Sequence, residues 1–175
     1  MTWVVKICEV GGGRRRERSI LTLGDIDAPI SIEQLGLSLD QGKAILAAIQ
    51  STVITLQSAA LADHAKARAR SETGVTLKDY RLRRIDTVYG RAEIRVPRLE
   101  RHGVLEACTD WPPHRRSTTE FDKLRMTLSA WMSYRAAEKL MSGLLPIGGG
   151  RHHTSFRNQV LDLGAATEEI GRAHV

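Results

Sequence analysis

The segment that decides how this chain is organised spans residues 38–74 and reads SLDQGKAILAAIQSTVITLQSAALADHAKARARSETG. Ser38 followed by Gln41 is a capping box, in which each side chain accepts a hydrogen bond from a free backbone N–H at a helix start. Apolar side chains then recur at helical spacing, at Ile45, Ile49, Thr52 or Val53, Leu56, and Ala59 or Ala60. Basic residues near the end suit the negative end of the helix dipole, and Gly74 can terminate the helix. We therefore predict one long helix whose apolar stripe serves packing or dimerisation.

The residues before this helix alternate in polarity, as a β-strand does. Residues 2–10 place Trp3, Val5 and Ile7 on one face, and residues 19–26 form a returning strand. Residues 11–13 are all glycine and make a flexible connection into residues 14–16, which are all arginine. The sequence predicts a β-hairpin. Its arginine run is expected to be a solvated loop tip, with contact to DNA as the alternative.

A second hairpin is predicted over residues 78–99, where polarity again alternates with a period of two. The first strand sets Arg81, Arg83 and Ile85 against Leu82, Arg84 and Asp86. Tyr89 and Gly90 make the turn, and Pro97 is expected to end the return strand. That strand sets Ala92, Ile94 and Val96 against Arg91, Glu93 and Arg95. The pattern indicates a basic hairpin with one half-buried face.

The last third of the chain has the pattern of a small helical unit. Residues 111–113 read Trp-Pro-Pro, a stiff joint and a candidate domain boundary. Ser117 with Glu120 is a second capping box, and Ser133 is expected to cap a short helix. A Gly/Pro-rich turn over residues 143–150 precedes a last helix from about Thr154. Three helices with this turn suggest a helix-turn-helix, although any small helical bundle has the same periodicity.

The net charge of +6 is concentrated in the middle of the chain. From Lys66 to Arg116 there are 13 Lys or Arg against 7 Asp or Glu, whereas the remaining residues carry 13 of each. A local surplus of this kind indicates a surface that faces phosphate. The alternative is an arginine-rich face that contacts only solvent.

Several classes of protein are disfavoured by composition. No stretch approaches the run of about 18 apolar residues that a membrane span needs, and the N-terminus lacks the long apolar centre of a signal peptide. Cys8 and Cys108 are too few and too far apart for a disulfide framework. A cytoplasmic protein with no membrane association is therefore expected.

Catalytic motifs are missing from the sequence. There is no H-E-x-x-H, no G-x-S-x-G and no P-loop. Three glycines at 148–150 precede a helix but are not followed by Lys-Ser/Thr, so they are interpreted as a turn. We expect no catalytic residue and no cofactor.

Four segments together resemble the ISKra-type transposases of bacterial insertion sequences. LGLSLDQGKAILAAIQ (35–50) resembles the opening helix of that family, and KDYRLRRIDTVYGRAEIRVPRL (78–99) resembles its strand pair after the first zinc-binding knuckle. SYRAAEKLMSGLLPI (133–147) and HHTSFRNQVLDLG (152–164) resemble its helix-turn-helix. The likeness spans roughly residues 19–168, in matching order and spacing.

The resemblance implies that this region binds the terminal repeats of an insertion element as double-stranded DNA. It also implies a fold of the α+β class: an N-terminal β-hairpin and long helix, a central basic hairpin, and a C-terminal three-helix helix-turn-helix. The second helix of the helix-turn-helix is the recognition helix, and its expected DNA-binding residues are Arg151, His153, Arg157 and Asn158. Those of the hairpin are Arg81, Arg83, Arg84 and Arg95. A homodimer through the long helix is a further expected partner, and the alternative function is a stand-alone transcriptional regulator or repressor.

Family members carry cysteine pairs on both sides of the hairpin that form a zinc site. Here those pairs fall near Arg70 and Thr73 and near Arg101 and Gly103, and none of these residues is a cysteine. His102 and Cys108 alone are too few, because structural zinc takes four ligands. We therefore expect a degenerate, zinc-ribbon-like hairpin that binds no metal.

The resemblance also implies an RNase H-like domain with three acidic residues and divalent metal ions, for which the residues after Gly164 are too few. The chain is thus expected to be the DNA-binding part of a transposase without its catalytic domain. Residues 169–175 read EIGRAHV, which matches one translated frame of a common sequencing adapter and is expected to be a non-native tail. The expected domains are residues 1–110, which hold both hairpins and the long helix, and residues 111–168, which hold the helix-turn-helix.

Overall fold

The computed structural model has a mixed α+β fold. It describes residues 2–11, 14–25, 32, 35–109, 111–112, 115–147, 154, 157–158, 160–162 and 164–165. Its elements are β1 (Thr2–Gly11), β2 (Arg14–Asp25), α1 (Leu39–Ser71), β3 (Val75–Thr87), β4 (Gly90–Arg101), β5 (Val104–Ala107), α2 (Thr119–Trp131) and α3 (Tyr134–Leu144). β1 pairs with β2, and a separate sheet has the order β3-β4-β5. The predicted class, both hairpins and the long helix are confirmed.

The chain divides into two compact units. The first holds Met1–Arg83 and Ala92–Pro112, and the second holds Arg84–Arg91 and Pro113–Val175. The tip of the β3–β4 hairpin thus belongs to the second unit, while the body of the hairpin belongs to the first.

In the first hairpin, the arginine run lies within a strand and not at a loop tip. β2 begins at Arg14, and the antiparallel register sets Arg15 opposite Val10 and Arg16 opposite Glu9. Acidic neighbours favour this placement, since the Arg15 guanidinium lies 3.0 Å from the carboxylate of Glu17. The prediction of a loop tip was wrong, because a run of charged residues does not show whether those residues pair with a neighbouring β-strand.

Helix α1 begins as the sequence predicts. The Ser38 N–H donates to Oε1 of Gln41 at 2.8 Å, and the Gln41 N–H donates to Oγ of Ser38 at 3.1 Å. The helix ends at Ser71, and Gly74 lies in the following turn with φ of +76°. Inside the helix, the nearly buried Thr52 hydroxyl donates to the Ala48 carbonyl at 3.0 Å, which satisfies a polar group on an otherwise apolar face.

By length and composition, α1 is able to cross a membrane. Its central stretch is uncharged, although polar residues interrupt it and no long run is continuously apolar. This is weak evidence of membrane insertion, because core helices of soluble proteins have the same property. The cytoplasmic location stays a prediction.

The core of the first unit joins the end of α1 to the sheet. Ala65 of α1, Val75 of β3 and Leu99 of β4 are buried together, and Leu77 and Cys108 pack against them. Because α1 presents alanine here, the strands approach the helix closely. This small cluster orients the hairpin relative to the helix.

Pro97 does not end β4, contrary to the prediction. The strand continues to Arg101, and β5 then pairs with Arg98–Arg101. Pro97 lies just outside that paired segment, so its missing N–H removes no bond from the β4–β5 ladder. β5 was not predicted from the sequence; the turn before it places His102 and Gly103 at φ of +49° and +81°. Two successive positive φ values are what a two-residue hairpin turn requires.

In the second unit, Thr118 caps α2, and the predicted cap Ser117 does not. The Phe121 N–H donates to Oγ1 of Thr118. Ser117 is buried, bridges to Asp86 of the hairpin tip, and donates its hydroxyl to Asp122 at 2.5 Å. Competition from this buried carboxylate moves the cap by one residue. Ser133 caps α3 as predicted, through the Ala136 N–H.

The core of the second unit contains Phe121, Ala137 and Met141, and Val160 packs against it. The residues described between 154 and 165 have helical backbone. On α3, Ala137 and Met141 face this core, whereas Leu140 and Leu144 are 39% and 52% exposed.

We predict that Met141→Ala lowers the free energy of unfolding by about 2–5 kcal/mol, because it leaves a cavity in a buried cluster. The matched control is Leu140→Ala, whose side chain is 39% exposed and whose loss should cost far less. Urea denaturation followed by circular dichroism measures both values. Equal losses would mean that α3 is rotated relative to the structure.

Candidate nucleic-acid interface

The β3–β4 hairpin presents two exposed arginines whose charge is not matched by a neighbour. Arg81 of β3 and Arg95 of β4 are both exposed. Within the described part of the chain, neither forms an ion pair. Exposed, unmatched guanidinium groups are suited to bind phosphate.

Other cations of the same hairpin are matched by carboxylates. Lys78 lies 2.8 Å from Glu100, Arg91 lies 3.0 Å from Asp86, and Arg98 donates to Asp79 at 2.6 Å. The hydrogen bond from Arg98 holds the pKa of the Asp79 carboxyl below its ordinary value, and Glu100 raises the pKa of Lys78. These pairs are consistent with local cross-strand stabilisation. Fewer cations of the hairpin are therefore left without a carboxylate partner than the sequence suggests.

The remaining predicted hairpin residues, Arg83 and Arg84, have different surroundings. Arg83 is half-buried, with its guanidinium 5.8 Å from the centroid of the Trp111 ring, a cation–π distance. Arg84 is exposed, belongs to the second unit, and lies on the opposite face of β3 from Arg81 and Arg83. The strand alternation therefore separates the four arginines that the sequence grouped together.

In the second unit, the last helical segment has one face toward the core and one toward solvent. Thr154, Arg157, Asn158, Leu161, Asp162 and Ala165 are exposed, whereas Val160 and Gly164 are partly covered. This is the three- and four-residue spacing of an amphipathic helix. Arg157 and Asn158 thus lie side by side on the exposed face. Arg151 and His153 lie outside the described residues, as does the tail 169–175.

The turns that flank the hairpin do not fit a zinc ion. No group of three or more His, Cys, Asp or Glu in the described residues is placed to hold a metal. Arg101, at one of the positions where the resembled family carries cysteine, directs its guanidinium to Glu72, and this cation would repel a second one. Cys108 is partly buried, and burial raises the pKa of its thiol, which disfavours the thiolate that zinc binds.

The second unit also contains a buried polar cluster that the sequence did not predict. Asp122 is 5% exposed, and Arg115 lies 3.3 Å from its carboxylate. Arg125 is 1% exposed, with its guanidinium 4.0 Å from the centroid of the Phe121 ring. No periodic signal marks such residues, because charged side chains are ordinarily expected on the surface.

The chain matches no known family model and no curated protein. The assignment of function therefore depends on the residues described above and on the resemblance found in the sequence.

Proposed function

We propose that this chain binds double-stranded DNA and performs no chemistry on it. The observation that carries the proposal is that Arg81 and Arg95 are each exposed and without an ion pair in the described residues, in a hairpin whose neighbouring cations are paired. They lie in the segment that holds the whole basic surplus of the chain. Cations that have no protein partner gain most from phosphate, since binding releases condensed counterions.

The second unit supplies the candidate for sequence recognition. Arg157 and Asn158 are adjacent on an exposed helical face, and Val160 anchors that helix to a core shared with α2 and α3. Arg reads guanine and Asn reads adenine through paired hydrogen bonds in the major groove. We propose that this segment is the recognition helix of a helix-turn-helix and that the hairpin supplies phosphate contacts.

The resemblance to ISKra-type transposases supports a particular target, the terminal repeats of an insertion element. The alternative is a stand-alone regulator that uses the same helices. The coding sequence distinguishes the two: continuation into a domain with an acidic triad favours the transposase, and a natural stop codon favours the regulator.

We expect that replacing both Arg81 and Arg95 with Ala flattens the salt dependence of binding to a mixed-sequence duplex. Each lost phosphate contact should reduce the slope of log affinity against log salt by about 0.9. Fluorescence anisotropy over a salt series measures the slope. The matched control is Arg18→Ala, an exposed arginine of β2. An unchanged slope in the double variant would contradict hairpin contact with DNA.

The recognition helix is tested separately, with a duplex selected from a random library by the wild-type chain. Arg157→Ala or Asn158→Ala should weaken binding to the selected duplex by roughly 5- to 150-fold relative to random DNA, as expected for a base contact of about 1–3 kcal/mol. The control is Leu161→Ala on the same exposed face. Equal losses of affinity for both duplexes, at one fixed salt concentration, would mean that these residues contact the DNA backbone and not the bases.

We further propose that a second copy of the chain covers the outer face of α1. Ile49, Val53 and Leu56 are 37%, 38% and 49% exposed, and with Ala60 they follow the alternating four- and three-residue spacing of a coiled-coil seam. A lipid environment suits this helix less well, because polar side chains interrupt its uncharged stretch, at Gln50, Ser51, Thr52, Thr55, Gln57 and Ser58. An antiparallel pair also sets the basic end of one helix near Asp40 of the other.

Sedimentation equilibrium should show a dimer that Val53→Glu and Leu56→Glu each dissociate, because either change buries a charge in the seam. Ser51→Glu, which adds the same charge at an exposed position on another face of α1, should leave the dimer intact. A wild-type monomer at high concentration would contradict the second copy. Co-sedimentation with phosphatidylcholine vesicles would indicate a membrane as the partner instead.

A further inference from the structure

Four charged side chains form a closed ring in the first unit. Arg68 and Glu72 stand at the end of α1, Arg101 ends β4, and Glu106 lies in β5. Arg68 Nε lies 2.7 Å from Glu72 Oε1, and Arg68 Nη2 lies 3.7 Å from Glu106 Oε2. Arg101 Nε lies 3.6 Å from Glu106 Oε1, and its Nη2 donates to Glu72 Oε2. Each charge therefore has two partners of opposite sign.

The ring lies where two turns of the backbone meet. One turn joins α1 to β3 through Gly74, and the other joins β4 to β5 through His102 and Gly103. A Cβ atom built at Gly74 would lie only 2.9 Å from Cε1 of His102, so the two turns are in close contact. All three residues have positive φ. Gly74 and Gly103 adopt positive φ without steric cost, whereas His102 is a non-glycine residue in this region. The ring is a polar interaction that links the two turns.

We propose that this ring is a metal-free electrostatic clasp that holds the two turns together, in the place where a structural zinc would otherwise join them. In the resembled family, the ligand cysteines fall near positions 70 and 73 on one side and 101 and 103 on the other. Here Arg101 is itself a member of the ring, and both carboxylates are engaged by guanidinium groups. The sequence thus carries a charge network in place of the metal ligands.

The geometry favours a network over a set of independent surface pairs. The side chains of Arg68 and Glu72 are 28% and 33% exposed, and Glu72 receives hydrogen bonds from both arginines. Isolated surface pairs contribute little, but charges that share partners hold one another in position. Because the ring is only partly covered, added salt should weaken it.

Acid should open the clasp. The hydrogen bond from Arg68 is the main reason that the pKa of Glu72 lies below its ordinary value, and the charges of Arg68 and Arg101 lower it further. A carboxyl with a lowered folded-state pKa stabilises the fold above its unfolded pKa, and the contribution is lost as the pH falls through the folded value. Glu106 and Cys108 act on the neighbouring Arg68, and the His102 ring lies against Gly74. The loss therefore falls below about pH 4, the range in which a glutamate titrates.

Hydrogen exchange of the peptide that covers the β4–β5 turn tests the clasp, because it reports local opening without requiring global unfolding. Glu72→Gln and Arg101→Gln should each accelerate exchange of the 102–104 amides several-fold at neutral pH. The double variant should accelerate it by less than the product of the two single effects, since both changes break the same bond. Exchange in the wild type should rise with salt, and exchange in Glu72→Gln should not.

The matched control is Glu100→Gln, which breaks the simple pair with Lys78 in the same sheet. It should leave exchange at the turn unchanged. A chelator should also leave the wild-type protein unchanged, and elemental analysis should find well under one zinc per chain. Stoichiometric zinc with faster exchange after chelation would overturn the proposal, as would single variants that behave like Glu100→Gln. If Glu72→Gln does not fold, Arg101→Lys and the salt series on the wild type provide the same test.

Discussion

The first unit depends on the burial of Leu99 against Ala65 and Val75. A two-stranded hairpin is at best marginally stable in water, and a helix gains most of its stability from packing one face. The contact among Leu99, Ala65 and Val75 stabilises both the sheet and the helix, because the last turns of α1 cover one end of the sheet and the sheet covers that part of the helix. The ionic ring at the rim and the two adjoining turns can hold their geometry because this apolar cluster lies beneath them.

The distribution of charge in the hairpin follows from its pairing. Strand neighbours bring Asp79 to Arg98 and Glu100 to Lys78, so these cations are engaged inside the protein. A third cation, Arg83, lies over the ring of Trp111. The register of the strands therefore decides which cations are paired with carboxylates. In the described residues, Arg81 and Arg95 are not. A count of arginines overstates the positive charge that is available to an anionic partner.

The second unit is organised around a buried polar connection as much as around its apolar core. Backbone bonds join Asp86 to Arg116 at 2.8 Å and to Thr118 at 2.9 Å, which fixes the start of α2. The Ser117 hydroxyl then satisfies the buried Asp122 carboxylate. Buried polar groups of this kind require complete pairing. They position the start of α2, whose Phe121 packs with Ala137 and Met141 of α3 and with Val160.

The sequence by itself determined the α+β class, the capping box at Ser38, the boundaries of the long helix within a few residues, and the two hairpins. These features follow from local periodicity and from hydrogen bonds between residues close in the chain. Only the tertiary structure decided that β4 passes Pro97, that β5 exists, that Thr118 caps α2 in place of Ser117, and which arginines are matched by carboxylates. Several of these outcomes depend on partners distant in sequence: Ser117 bridges to Asp86, and Arg101 is held by Glu72. The local sequence pattern cannot show which of two possible partners a side chain contacts, because that choice is made when the chain packs.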